Sequence, residues 1–150
     1  MFWIINLIKL KKIFISSDHA GYKLKEFIKD HFNKKKVTYN DLGPKDDSKV
    51  DYPDYAHKVA KKVKINKNHV GILVCGSGMG MNMAANRHKN IRAAQCFNLR
   101  STKLSRLHND ANIITLGSRL LTKKNALKCV NIFLNTKFEG GRHKIRIKKI

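Results

Sequence analysis

The sequence predicts one α/β domain: five parallel strands in a three-layer α/β/α sandwich with a Rossmann-like sheet. Three observations carry this. Short β-branched and apolar runs alternate with segments of helical period along the chain, which is the signature of βαβ units. The run at 70–74 is almost wholly apolar, as in strands covered on both faces. Its exit, Cys75-Gly76-Ser77-Gly78-Met79-Gly80, places glycines between a strand and a helix, where backbone amides can turn toward an anion. With 150 residues, 42% of them hydrophobic, one core is expected.

The elements follow in order. Residues 13–16 read as the first strand, and Asp18-His19-Ala20-Gly21 leads into a helix marked by Leu24, Phe27, Ile28 and Phe32. Residues 37–40 read as a second strand with Asp41-Leu42-Gly43-Pro44 as its exit. Pro53 suits a first helical turn, and Tyr55, Ala56, Val59, Ala60 and Val63 continue it. A helix near 81–87, a strand near 93–96, a helix near 102–108, a strand at 113–116 and a helix near 125–134 complete the alternation. Right-handed crossovers then make the sheet parallel, and ligands of such sheets gather at the carboxyl ends of the strands. Asp18 and His19, the Cys75 loop, and the loops after Cys96 and Leu116 all belong to that edge.

Residues 1–10 read as an N-terminal extension or as a stretch upstream of a mis-assigned start, and 11–150 as the domain with a basic C-terminal tail. The apolar stretch 1–8 is far shorter than the roughly 20 residues of a membrane helix. No membrane anchor is expected.

The formal charge is +22, from 32 lysines and arginines against 10 acidic residues. Such a balance invites a nucleic-acid reading. The lysines are spread over helices without a dense arginine stripe or an aromatic platform, so a solvated basic surface is the better account. Cys75, Cys96 and Cys129 are odd in number and far apart, with no C-x-x-C pair; this argues for a reducing, cytoplasmic compartment and against disulfides or a structural zinc. Cys96 and Cys129 are expected in the core.

Several residues carry possible chemistry. The spacing of Gly76, Ser77, Gly78, Met79 and Gly80 fits neither the dinucleotide fingerprint nor a P-loop, and it reads as a nest for a small anion or oxyanion. Cys75 is either a small buried hydrophobe or a base or nucleophile beside a helix start. His19 and His108 are proton carriers or polar helix ends, and Asp18 is a ligand or a cap. Arg142 and Arg146, four apart, share a face if the tail is helical, and Arg119 after the last strand is a third anion contact.

Asp18-His19-Ala20-Gly21, Asp51-Tyr52-Pro53, Cys75-Gly76-Ser77-Gly78-Met79-Gly80, Ala84-Ala85-Asn86, His108-Asn109-Asp110, Gly117-Ser118-Arg119 and Gly140-Gly141-Arg142-His143 occur in this order. Together they closely resemble the type B ribose-5-phosphate isomerases, a family that includes galactose-6-phosphate and allose-6-phosphate isomerases. The resemblance spans about 11–146. It implies cofactor-free interconversion of an aldose phosphate and a ketose phosphate, without metal. It implies Cys75 as the base between C1 and C2 and His108 as the ring-opening donor, with Asn109 beside it. Asp18, His19 and Tyr52 would contact the sugar, and the glycine loop would hold the enediolate oxygens. Arg119, Arg142 and Arg146 would hold the phosphate, in a homodimer or tetramer whose sites are shared between subunits. One branch of the family has a glutamate base at the position of Met81, which methionine cannot replace. A hexose phosphate substrate, or a basic nucleic-acid module on the same fold, are the competing readings.

Overall fold

A computed structural model describes residues 11–150; the expected N-terminal extension lies outside the described residues. The strands are β1 (Lys12–Ser17), β2 (Asn40–Asp41), β3 (His69–Cys75), β4 (Ala93–Gln95) and β5 (Ile113–Gly117). The helices are α1 (Tyr22–Lys34), α2 (Tyr52–Val63), α3 (Met79–Ala85), α4 (Leu99–Asn109), α5 (Lys123–Asn135) and α6 (Arg142–Ile147). All strand pairs are parallel, in the order β2-β1-β3-β5-β4, as the alternation of elements predicts.

Pleat alternation sorts the core into two layers. Ile13 and Ile15 of β1, Val70, Ile72 and Val74 of β3, and Ile114 and Leu116 of β5 face one side, where Leu24, Ile28 and Phe32 of α1 and Val130, Phe133 and Leu134 of α5 cover them. Phe14, Leu73, Cys75 and Ile113 face the other side, under Ala56, Val59, Ala60 and Val63 of α2 and Met81 and Ala85 of α3. Cys96 and Cys129 sit in the first layer with their thiols pushed up by burial, as core cysteines should be.

Two boundaries differ from the sequence expectation. The second strand pairs only through Asn40 and Asp41, opposite Phe14 and Ile15, and not over 37–40. Lys36 takes a left-handed φ of 55°, and the Val37 amide caps the Phe32 carbonyl. Val37 and Tyr39 then pack onto the first layer before any pairing begins, so their apolar side chains close the core while the edge ladder stays short. The tail also differs from a flexible one: 142–147 is helical and puts Arg142 and Arg146 on one short helix.

Strand order reverses between β1 and β3. The connection from β1 leads outward to β2, and that from β3 leads the other way, so their exits diverge and leave a crevice. The Asp18 amide donates to the Val74 carbonyl (3.1 Å) and closes the crevice floor.

The β2 exit that walls this crevice is anchored by an ion pair to a buried lysine. Lys25, fully buried on α1, donates to Asp41 Oδ1 (2.9 Å) and to the Pro44 carbonyl (2.7 Å), and Lys29 reaches Asp41 Oδ2 at 2.6 Å. Burial alone would raise the Asp41 carboxyl, but bonds from Lys29, the Gly43 amide and Lys25 outweigh it and hold the group below its ordinary range. The pair's stabilisation is therefore complete above the ordinary carboxylate pKa and is lost as pH falls through the lowered one. Asp41→Asn leaves buried Lys25, of its anionic contacts, only the longer one to Glu26 (3.4 Å) and is expected to cost about 2–3 kcal/mol in urea denaturation at pH 7, while Lys25→Met, which removes the charge itself, costs less.

Candidate active site

The Cys75 loop is built by close backbone packing. Cys75 ends β3 facing the α2 and α3 layer, 5% exposed, and its Sγ accepts the Gly78 amide at 3.1 Å. Gly78 has φ of 80°, which lets the chain double back so that this amide meets the sulfur. The exit of β5 holds the loop from beside it: the Ser118 amide donates to the Cys75 carbonyl (2.8 Å) and the Arg119 amide to the Gly76 carbonyl (3.0 Å). Ser118 Oγ also donates to the Ala20 carbonyl (2.8 Å), tying in the exit of β1. Gln95 Nε2 donates to the Ser77 carbonyl (2.9 Å), a support that no spacing in the sequence suggests.

The other residues expected at the carboxyl edge gather round this loop. A Cβ on Gly76 would lie 2.9 Å from Arg119 Nη1, so the guanidinium covers the start of the loop. A Cβ on Gly80 would lie 2.6 Å from the Tyr52 ring, which places that phenol against the first turn of α3. His19 Nδ1 sits 3.3 Å from the Val50 carbonyl. Asp18 is buried and its Oδ1 accepts the Gly21 amide (2.9 Å), which fixes the turn before α1; the N-cap itself is Gly21, and not Asp18. At the start of α3 side chains take amides that have no carbonyl four residues back: Gly78 donates to Cys75 Sγ and Met79 to Ser77 Oγ (3.2 Å).

His108 and Asn109 lie elsewhere. They end α4, which has travelled back from the exit of β4 to the entrance of β5, and so they sit at the amino edge of the sheet. The strands between the two edges span roughly 15 Å. Arg92, just before β4, donates from Nε to the Asn109 carbonyl (2.9 Å) and from Nη2 to the Asp110 carbonyl (2.9 Å), while Arg106 Nη1 holds Asp110 Oδ1 (2.8 Å). Asp110 takes a left-handed φ of 44° there. The tail docks on this turn. The Glu139 amide donates to the Leu107 carbonyl (3.0 Å), and the His143 ring stacks on His108 with centroids 4.3 Å apart.

Glu139 is absent from the sequence reading, and His143 enters it only as the end of the Gly140-Gly141-Arg142-His143 motif, with no role of its own. Glu139 Oε2 lies 3.7 Å from His108 Nε2 and 3.5 Å from His143 Nε2. Burial, the neighbouring His108 and Arg142 push the His143 imidazole down. The ligand atoms of these three residues lie within 4.8 Å of one another, close enough to share a metal ion. The two rings are nearly parallel, at 13°, so their in-plane lone pairs do not converge on one point, and the carboxylate is better placed to share a proton with either ring. Arg142 and Arg146 stand exposed on α6 beside them.

The residues expected to carry the chemistry therefore fall into two groups: Asp18, His19, Tyr52, residues 75–80 and Arg119 at one edge, and His108, Asn109, Arg142 and Arg146 at the other. Tyr52, Met79, Met83, Phe97 and Leu99 leave large apolar surface around the first of them, between 40% and 70% exposed.

The family profile of the ribose/galactose isomerases matches residues 13–150. The probable ribose-5-phosphate isomerase B of Mycoplasma pneumoniae is 44% identical over 139 residues, covering 92% of this chain and 91% of that protein. The crystal structure of a ribose 5-phosphate isomerase from Thermotoga maritima superposes with a TM-score of 0.89 at 46% identity, over 93% of this chain and 96% of that one. That of ribose-5-phosphate isomerase B from Mycoplasma genitalium, with bound ribulose-5-phosphate, gives 0.88 at 46%, over 92% of each.

The loop packing makes two glycine substitutions differ sharply. A Cβ on Gly117 would meet the Ser77 carbonyl oxygen at 2.6 Å, backbone against backbone, so Gly117→Ala should lower unfolding free energy by about 2–3 kcal/mol. At Gly80 the obstacle is the ring of Tyr52, which is 42% exposed and can swing aside, and the position is helical, so Gly80→Ala should stay within about 1 kcal/mol of the parent. Urea denaturation of the two variants tests the contrast.

Proposed function

The chain belongs to the ribose/galactose isomerase family and is an isomerase; from that premise we propose that it interconverts ribose 5-phosphate and ribulose 5-phosphate, through an enediolate, within a homodimer that completes each site from both subunits. The observation that carries the shared site is the separation of the two groups to opposite edges of one sheet. A second copy that brings its His108 edge against the Cys75 crevice assembles all the proposed groups, and the apolar rim of Tyr52, Met79, Met83, Phe97 and Leu99 supplies surface to bury in doing so.

The chemistry follows from what each group offers. His108 of one subunit donates a proton to the ring oxygen and opens the sugar, with Asn109 beside it. Cys75 of the other, as thiolate, takes the proton from C2. The electron pair forms the C1–C2 double bond of the enediolate, and the charge that develops on the oxygens meets the amides of residues 76–80, which are fixed before the reaction begins. The hydroxyl proton passes from O2 to O1, and return of the carbon-bound proton from Cys75 to C1, with the carbonyl formed at C2, gives the ketose. Asp18, His19 and Tyr52 contact the sugar hydroxyls, and Arg119, Arg142 and Arg146 take the phosphate. No electron leaves the sugar, so the step needs no redox partner.

The close likeness to a protein solved with ribulose-5-phosphate supports a five-carbon substrate over a hexose phosphate. Residues 11–150 form the isomerase domain in this reading. No helix among the described residues is long and apolar enough to cross a membrane, and we place the enzyme in the cytoplasm, where its three free thiols stay reduced.

Cys75→Ala and His108→Ala should each abolish most ribulose 5-phosphate formation. Unfolded together and refolded as a mixture, the two inactive variants should regain about a quarter of wild-type activity, because roughly half the dimers are mixed and each of these has one intact site. An inactive mixture would rule out the shared site; a fully active Cys75→Ala would rule out the base.

A further inference from the structure

The amino edge of the sheet carries a cavity of about 240 Å³ that the isomerase site does not use. Lys11, Lys67, Arg92, Arg106 and Lys137 line it, with Asp110 as the one carboxylate. That carboxylate is already engaged. Its Oδ1 accepts from Arg106 at 2.8 Å and its Oδ2 lies 3.3 Å from Arg92 Nη2. None of Arg119, Arg142 and Arg146 is among the lining residues.

A buried lysine and a half-buried one are treated differently in this fold. Lys25, wholly buried, faces both Asp41 and Glu26. Among the described residues Lys11 donates only to the Leu134 carbonyl (2.6 Å), and burial followed by the charge of Arg106 pulls its ammonium down to about 8. Arg106, 7% exposed, uses Nε on the Thr136 carbonyl (3.2 Å) and Nη1 on Asp110 and the Ala111 carbonyl; no acceptor within the described residues takes Nη2. Five cations thus converge on a concave space with one carboxylate that two of them already occupy, and the missing partner is an anion.

We propose that this cavity is a second anion site, taking the phosphate dianion of inorganic phosphate or of a small phosphate monoester. Arg106, buried, and Lys11, half-buried, line it with charge partly removed from water, where a charge-assisted bond is stronger. Lys67 and Lys137, both exposed, form its mouth. The space exceeds what a phosphate group fills and leaves room for a small organic substituent, but it is a pocket and not a groove that could follow a nucleic-acid backbone. No histidine lines it, so Lys11 is the group there that titrates near pH 8. Above that pH the bound anion draws a proton back onto Lys11, and affinity falls as pH rises.

The test uses the full chain, nitrogen-15 labelled, at low ionic strength and pH 7, titrated in one arm with inorganic phosphate and in another with glycerol 2-phosphate. Amides of Lys11, Asn68, Arg92 and Asn112 should shift and saturate, and still do so in Arg119→Ala, which cripples only the other edge. Lys67→Glu with Lys137→Glu should weaken this binding at least about tenfold, while ribulose 5-phosphate formation stays within about twofold of the parent. Saturation in the first arm alone assigns the free ion, and in both arms the monoester as well. Shifts confined to the Cys75 loop, shifts that never saturate, or affinity untouched by the double charge reversal would each overturn the site.

Discussion

Everything in this molecule is ordered by the polarity of a parallel sheet. Each strand runs the same way, so each strand exit emerges at one edge and each crossover helix ends at the other. Cys75 ends a strand and His108 ends a helix, and that alone fixes them roughly 15 Å apart. No side-chain rotation within one chain can join them. If the two act on one substrate, association of two chains is part of the catalytic apparatus and not an ornament to it.

The same polarity explains how the Cys75 crevice is made. Strand exits that leave in opposite directions from β1 and β3 cannot fill the space between them, and the gap is lined by whatever the two exits and their neighbour β5 present. Here they present mostly backbone: the Gly78 amide on sulfur, Ser118 and Arg119 amides on the Cys75 and Gly76 carbonyls, and Ser118 Oγ on Ala20. Backbone donors held by other backbone groups do not rotate, which suits a site meant to meet charge only as it develops. Small residues are the condition for this. Arg119, Tyr52 and Ser77 lie closer to Gly76, Gly80 and Gly117 than a Cβ would normally permit.

Much of this was legible in the sequence, because the period of apolar residues reports burial directly. Five strands, the parallel sheet and the carboxyl-edge loops all follow from it, as does Cys75 at a strand end. The second strand was read too early, since Val37 and Tyr39 have the side chains of a strand but are used for packing, and pairing falls to the polar Asn40 and Asp41. The helical tail was half legible: the spacing of Arg142 and Arg146 allowed it, but only docking on α4 decides it. Glu139 and His143 could not be read at all by spacing to His108, because a distance of thirty residues carries no geometry until the tail folds back. The one hint was chemical. Glu139 is the lone carboxylate in a strongly basic stretch, and a lone carboxylate there is worth asking about. Gln95 and Lys25 left no such hint, being a polar residue in a strand and a lysine in a helix until the fold gives each a buried partner.

The arginines at the amino edge join the last two parts of the structure. Arg92 and Arg106 reach the His108-Asn109-Asp110 turn from opposite sides, one through the Asn109 and Asp110 carbonyls and the other through the Asp110 carboxylate, and both also line the basic cavity. A turn whose end residue has φ of 44° is held by these contacts together with the Asp110 and Ala111 amides on the Arg106 and Ser105 carbonyls. Guanidinium groups have a fixed fork of donors, so an acceptor entering the cavity competes with Asp110 and the carbonyls for the same nitrogens or aligns with them. Either way the orientation of the turn and the charge state of the cavity are set by one network. A surplus of cations that looks like mere surface in the composition is, at this edge, the frame on which a proposed catalytic histidine is hung.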